Sequence, residues 1–202
     1  PGSVLSEAQA NAYHADGFEI GVHIDTGCNN YNLSGLENYY TTQLAQFAAR
    51  FPALPVQDSE RTHCIAWSGW DYQPTVKDQE GIRLDTNYYY WPPAWINNQP
   101  GLFTGSGMPM RFAREDGTMI DVYQAVTQMT DESGQTFPYT IDTLISRALG
   151  AEGYYGVFTA NMHSDSLISS GSDAIVASAQ SNGVPVVSGR QLLTWLDGRN
   201  GS

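Results

Sequence analysis

Hydrophobic and polar positions repeat along this chain with two periods, about 3.6 residues for helices and about 2 for strands, and their order predicts the elements. Ser6 and Gln9 have capping-box spacing, and Leu5, Ala8, Ala12 and Tyr13 recur at helical intervals until Asp16-Gly17 ends the pattern. A strand is expected next over residues 18–25, with Phe18, Ile20, Val22 and Ile24 on one face and Glu19, Gly21, His23 and Asp25 on the other. Ser34 and Glu37 form a second capping-box pair, and Leu36, Tyr39, Tyr40, Leu44, Phe47 and Ala48 trace the apolar face of a helix running toward Phe51-Pro52. Short strands are expected at 62–67 and 81–85. Residues 87–109 are Tyr, Trp, Pro, Asn and Gly with little periodicity, which predicts a long ordered loop. Beyond it the pattern predicts a strand at 119–123, a helix at 139–149, a strand at 156–163 and a helix at 173–181 capped by Ser172. A closing strand at 183–188 and a helix at 189–196 follow.

Strands alternating with helices at this spacing argue for an α/β fold with a largely parallel sheet or barrel. No internal repeat and no linker divides the chain, so residues 1–202 are expected to form a single domain. With 41% apolar and 15% charged residues, and 20 Gly, 12 Tyr and 5 Trp, the composition argues against disorder and against a charge-rich coiled coil. Twenty-one acidic against 9 basic residues leave a formal charge of −12, which opposes binding to a phosphate backbone, so no nucleic-acid partner is expected. The longest apolar runs are far short of the ~20 residues that cross a bilayer, so no transmembrane segment is expected. The chain starts Pro1-Gly2-Ser3-Val4 with no Met and no signal-peptide pattern, and an upstream segment is expected to have been removed. Cys28 and Cys64 lie outside any C-x-x-C spacing. They are expected to form one disulfide, with two buried thiols as the alternative. Low lysine content and abundant Tyr, Trp, Asn, Ser and Gly suit a secreted or cell-envelope protein, where a disulfide persists.

Candidate chemistry gathers where strands are expected to end, because the loops there converge on one mouth in parallel α/β folds. His23 and Asp25 close one strand, Arg61 and His63 flank the next, and His163 closes a later one with Ser164-Asp165 following. His14 falls in a helix before a turn and is expected to face solvent. Imidazole with carboxylate is a ligand set for zinc or another divalent metal, whose bound water is acidic enough to attack a carbonyl near neutral pH, which points to a hydrolase. The competing signatures G-x-S-x-G, H-E-x-x-H, G-x-x-x-x-G-K-[ST] and a strand-linked G-x-G-x-x-G are missing, and Gly105-Ser106-Gly107-Met108 is only a partial echo. Trp67, Trp70 and the run 88–95, with Tyr90, Trp91 and Trp95, offer flat faces for sugar rings. The competing reading is that these aromatics pack the loop onto the core.

Taken together, these residues resemble the polysaccharide deacetylase domain (NodB-like, carbohydrate esterase family 4). The phrase Asp16-Gly17-Phe18-Glu19-Ile20-Gly21-Val22-His23 is similar to that family's second motif, G-H-E-[IV]-G-x-H, with His23 at the first histidine of the metal pair. The second family histidine falls on Gly27, so His63 or Asp25 is the expected replacement and the metal set becomes His23, Asp25 and His63. Arg61 resembles the arginine of the third motif, Asp85 with Trp91 the Asp/Trp pair of the fourth, and His163 the terminal histidine that protonates the leaving amine. The resemblance implies a distorted (β/α) barrel, a divalent metal such as zinc, and removal of acetyl groups from an extracellular or cell-envelope glycan. The family's Asp-Asp pair has no counterpart, so an N-terminal portion of the domain is expected to be missing and the barrel to be incomplete. Two other functions fit the residues: a non-catalytic carbohydrate-binding domain of the same fold, and an α/β-barrel glycosidase using two carboxylates from Asp25, Asp85, Asp121 and Asp165.

Overall fold

The computed structural model describes residues 5–63, 67–87, 107–130, 139–153, 156–163 and 169–200. In chain order its elements are α1 (Glu7–Ala15), α2 (Leu33–Arg50), β1 (Ser59–Glu60), α3 (Tyr72–Gln79), β2 (Leu84–Asp85), β3 (Met110–Ala113), β4 (Met119–Gln124), β5 (Thr127–Thr130), α4 (Tyr139–Leu149), β6 (Thr159–Asn161), α5 (Ser170–Ser181) and α6 (Gly189–Asn200). The class is mixed α/β. The strands form one four-stranded and one two-stranded sheet, and among the described residues neither closes into a barrel. The elements belong to two units. The first comprises Ser3–Tyr90, Met110–Gln124 and Val187–Ser202, and the second Pro1–Gly2, Trp91–Pro109 and Ala125–Val186.

In the first unit the sheet order is β1-β2-β4-β3, with β1, β2 and β4 parallel and β3 antiparallel to β4. β3 and β4 are joined by a tight turn in which the Arg114 N–H donates to the Thr118 carbonyl, and Gly117 supplies the positive φ of 86° that the turn needs. Along β4, Ile120 and Val122 point inward and Met119 and Asp121 outward, the period-2 alternation expected of a half-buried strand. α1 carries the expected capping box: the Ser6 hydroxyl accepts from the Gln9 N–H, and the Gln9 side chain accepts from the Ser6 N–H. For α2 the cap is Asn32 rather than Ser34. Its Oδ1 accepts the Gly35 N–H at 2.8 Å, which starts the helix early enough to place Ser34 inside the first turn. Leu36 and Tyr40 of α2 then pack with Ile24, Val76 and Ile82 into one core cluster.

Three expected strands change here. None of the described residues of 62–67 lies in a strand; the strand lies earlier, at β1, and the Thr62 N–H bonds the Asn87 side chain instead of a neighbouring strand. The strand expected at 81–85 is confined to β2. Residues 18–25 belong to no sheet, and side chains make most of the bonds that a neighbouring strand would have made. Gln57 accepts the Val22 N–H at 2.5 Å and donates to the Val22 carbonyl at 2.9 Å, and Glu60 accepts the Ile24 N–H at 3.3 Å. Gly21 is required by this arrangement, since a Cβ there would stand 2.5 Å from Gln57 Oε1.

The second unit pairs β5 with β6 in parallel and packs Met129, Ile141, Leu144, Ile145, Ile175 and Ala179 from β5, α4 and α5. α4 covers the residues expected of it. α5 begins three residues before the expected start, because Ser169 rather than Ser172 accepts the capping bond, from the Ser172 N–H at 3.2 Å. The strand expected at 183–188 does not form. At its end Ser188 and Gln191 bond reciprocally as a capping box for α6, which returns the chain to the first unit and buries Leu192, Leu193 and Leu196.

Candidate functional site

The first unit brings His23 and His63 together. Their rings sit edge to face with centres 5.3 Å apart and planes at 89°, and both residues are exposed. The positions follow from backbone bonds between two non-sheet segments. The His63 N–H donates to the Ile24 carbonyl at 2.7 Å, so the residue after His23 is tied to His63 itself. Gln43 of α2 clamps the next position from both sides, accepting the Asp25 N–H at 2.9 Å and donating to the Asp25 carbonyl at 2.8 Å.

His23 Nδ1 bonds the Arg61 backbone carbonyl. A carbonyl oxygen only accepts, so Nδ1 carries the proton and the lone pair lies on Nε2. Metal-binding histidines are held in the same way, one nitrogen anchored to a carbonyl or carboxylate and the other left for the metal. Desolvation lowers the His23 pKa from the usual 6.5, outweighing the Arg61 carbonyl bond and the Glu60 charge, which raise it. The neutral ring is therefore the stable form at neutral pH. With metal removed by a chelator, the folded state should bind fewer protons at His23 than the unfolded chain does. Its contribution to stability is present above about 6.5 and is lost as pH falls below that value. Thermal melting of wild type and His23→Asn across pH 5–8 checks this: the Tm difference should stay flat at the alkaline end and drift toward the variant at the acid end.

Two imidazoles sharing one tetrahedral zinc have ring centres roughly 5 Å apart, so the observed spacing and donor type suit two positions of a metal shell. Among the described residues no group of three or more His, Cys, Asp or Glu forms, and Asp25 does not complete a set with the two rings. Its Oδ1 instead accepts the Gly27 N–H at 2.7 Å.

Behind the pair lies a buried ionic cluster that the hydrophobic pattern does not reveal. Lys77 of α3 is fully buried, with Nζ 2.8 Å from Glu60 Oε2, 2.5 Å from Asp85 Oδ2 and 3.4 Å from the Glu60 carbonyl, so its three N–H bonds are all used. Burial opposes its charge, but the Asp85 and Glu60 carboxylates outweigh burial and hold its pKa above that of an ordinary lysine. The Tyr40 hydroxyl donates to Glu60 Oε2 at 2.8 Å, Thr62 Oγ1 donates to the same oxygen at 3.2 Å, and Asn87 donates to both oxygens of Asp85. Burial, and then the Glu60 charge, push the Tyr40 pKa far upward, so the phenol stays protonated and remains a donor.

Comparison with protein-family models, curated proteins and solved structures finds no match.

The remaining candidates are dispersed. Asp85, expected at the chemistry, is buried and committed to Lys77 and Asn87. Arg61 is half-buried and contributes its carbonyl to His23, and His163 follows β6 in the second unit. Trp67 stacks on Phe112 at 5.8 Å between ring centres, while Trp70 is 64% exposed with its indole N–H held by the Ala113 carbonyl at 2.8 Å. Tyr90, Trp91, Trp95, Cys64 and Asp165 lie outside the described residues. Cys28 is disulfide-bonded. Of the carboxylates a glycosidase would use, Asp121 is taken up by Arg83 and Arg111. The residues that sequence reasoning missed are Gln43, Gln57, Glu60 and Lys77, polar side chains whose partners are distant in sequence.

Proposed function

We propose that this chain is a metal-dependent hydrolase similar to the polysaccharide deacetylases, acting on the acetamide of an extracellular or cell-envelope glycan. In that reading its βα units belong to a distorted barrel of the family's kind. The observation that carries the reading is the His23–His63 pair, two exposed histidines at ligand spacing, with the His23 tautomer fixed so that Nε2 carries the lone pair. A divalent metal held there supplies Lewis-acid polarisation of an amide carbonyl and a lowered pKa for water. The chain's own contributions are simpler. His23 and His63 would hold the metal, and Asp25 follows on a backbone fixed by Gln43. The fixed, exposed face of Trp70 supports sugar binding, and the Cys28 disulfide supports an oxidising compartment.

Calorimetric titration of chelator-treated protein with zinc should show uptake of one ion. His23→Ala and His63→Ala should each weaken it by more than the roughly 10–100-fold typical of losing an outer-shell partner. Acetate release from an N-acetylated chitin oligomer should follow the same order. Absence of zinc uptake by the wild type, or wild-type affinity in both variants, sinks the metal reading. Zinc uptake without acetate release in any condition favours the non-catalytic carbohydrate-binding domain.

A further inference from the structure

We infer that Glu60 is a positioning residue for the histidine pair, its two carboxylate oxygens joining the buried Lys77 on one side to the backbone between His23 and Asp25 on the other. The inference rests on the pair being the functional site. Glu60 Oε1 accepts the Ile24 N–H at 3.3 Å, while Oε2 takes Lys77 at 2.8 Å, Tyr40 at 2.8 Å and Thr62 at 3.2 Å. Ile24 in turn receives the His63 N–H on its carbonyl, and its side chain is fully buried in the core cluster of α2 and α3. Glu60 also precedes Arg61, whose carbonyl fixes the His23 tautomer. One side chain thus holds three things in register: the His23 segment, the His63 segment and the carbonyl that orients the His23 ring. Residues 18–25 belong to no sheet, so no backbone ladder does this instead.

The chemistry needs a carboxylate. Both oxygens of Glu60 act as acceptors, whereas a glutamine amide has one acceptor and one donor end. In Glu60→Gln the amide oxygen turns to the Lys77 ammonium, the stronger partner, and the NH₂ group is left facing the Ile24 N–H, donor against donor. The substitution still leaves Lys77 paired with Asp85, so the cluster becomes charge-neutral rather than broken. Tyr40→Phe is the contrasting variant, since it takes a donor from Oε2 and leaves the Ile24 bond in place.

The test reads the His23 ring tautomer by long-range ¹⁵N–¹H correlation spectra of metal-free protein above the imidazole pKa, together with zinc affinity. Wild type should show the Nδ1–H form. Glu60→Gln should shift His23 toward Nε2–H and weaken zinc binding by roughly 10–100-fold, whereas Tyr40→Phe should lower stability and change neither. A fully retained Nδ1–H tautomer in Glu60→Gln overturns the inference, as does an equal shift in Tyr40→Phe, which would mark a general structural effect. If Glu60→Gln does not fold, Glu60→Asp is read by the same criterion, because it keeps the charge beside Lys77 but is too short to reach both partners. Failure of both to fold assigns Glu60 a purely structural role and also overturns the inference. Should wild type take up no zinc, the metal reading fails while the tautomer still decides the role of Glu60.

Discussion

Replacing Lys77 by Met is expected to lower the free energy of unfolding by about 3–5 kcal/mol near neutral pH, the usual cost of removing one partner from a buried ion pair. The ammonium is fully buried, and its partners Glu60 and Asp85 have side chains that are likewise 0% exposed. Without it two carboxylates share a fully buried space, held among the described residues by Tyr40, Thr62, Asn87 and the Ile24 N–H. Coulomb repulsion and lost solvation then both work against the folded state. Urea denaturation of wild type and Lys77→Met near neutral pH checks the size of the loss. A loss under about 0.5 kcal/mol, the range of ordinary surface changes, would show that Lys77 is not the counter-charge of this cluster.

Reducing the Cys28 disulfide is expected to cost roughly 3–4 kcal/mol on the chain-entropy estimate, equivalent to a Tm drop of roughly 6–16 °C for a chain of this size. Cys28 is disulfide-bonded, and the chain's only other cysteine is Cys64, so the closed loop contains both α2 and β1. The bond constrains the unfolded chain most, but it also follows the His23–Asp25 segment directly, and Cys28 adopts a left-handed φ of 57° that is unusual for a residue with a side chain. Melting curves of the reduced wild type and of the Cys28→Ser, Cys64→Ser double variant should agree with each other and lie below that of the unreduced wild type. Alkylation of denatured, unreduced protein should label neither cysteine, and labelling of both would refute the bond.

Two kinds of signal separate what was legible in the chain from what was not. Helices declared themselves through local chemistry: the Ser6–Gln9 pair caps α1 as its spacing predicts, and residues 139–149 form α4. Where two good capping residues lie within a few positions, local chemistry allowed either, and the structure chose Asn32 over Ser34 and Ser169 over Ser172. α3 gave no amphipathic signal because its inner face is polar. Gln73, Thr75 and Lys77 are buried beside Val76, and Pro74 is tolerated because it stands in the first turn, where no N–H is needed. Alternation over residues 18–25 did place Ile24 inward and His23 and Asp25 outward, although the expected strand does not form there. It could not show that Gln57, Glu60 and Gln43 would stand in for a neighbouring strand.

The sequence by itself determined the α/β class, the capped helices, and the placing of His23 and Asp25 on the outward side of one segment, because each depends on residues within a few positions of one another. Only the tertiary structure decided that His63 lies against His23, that Asp85 is a buried counter-ion rather than an exposed acid, and that Lys77 lies at the centre of the first unit's polar core. Those outcomes depend on bonds between groups 8 to 38 residues apart in sequence, as in Lys77 to Asp85 and His23 to Arg61. A buried charge is stable only when its partner arrives with it, and no local pattern of hydrophobic and polar residues records that partner.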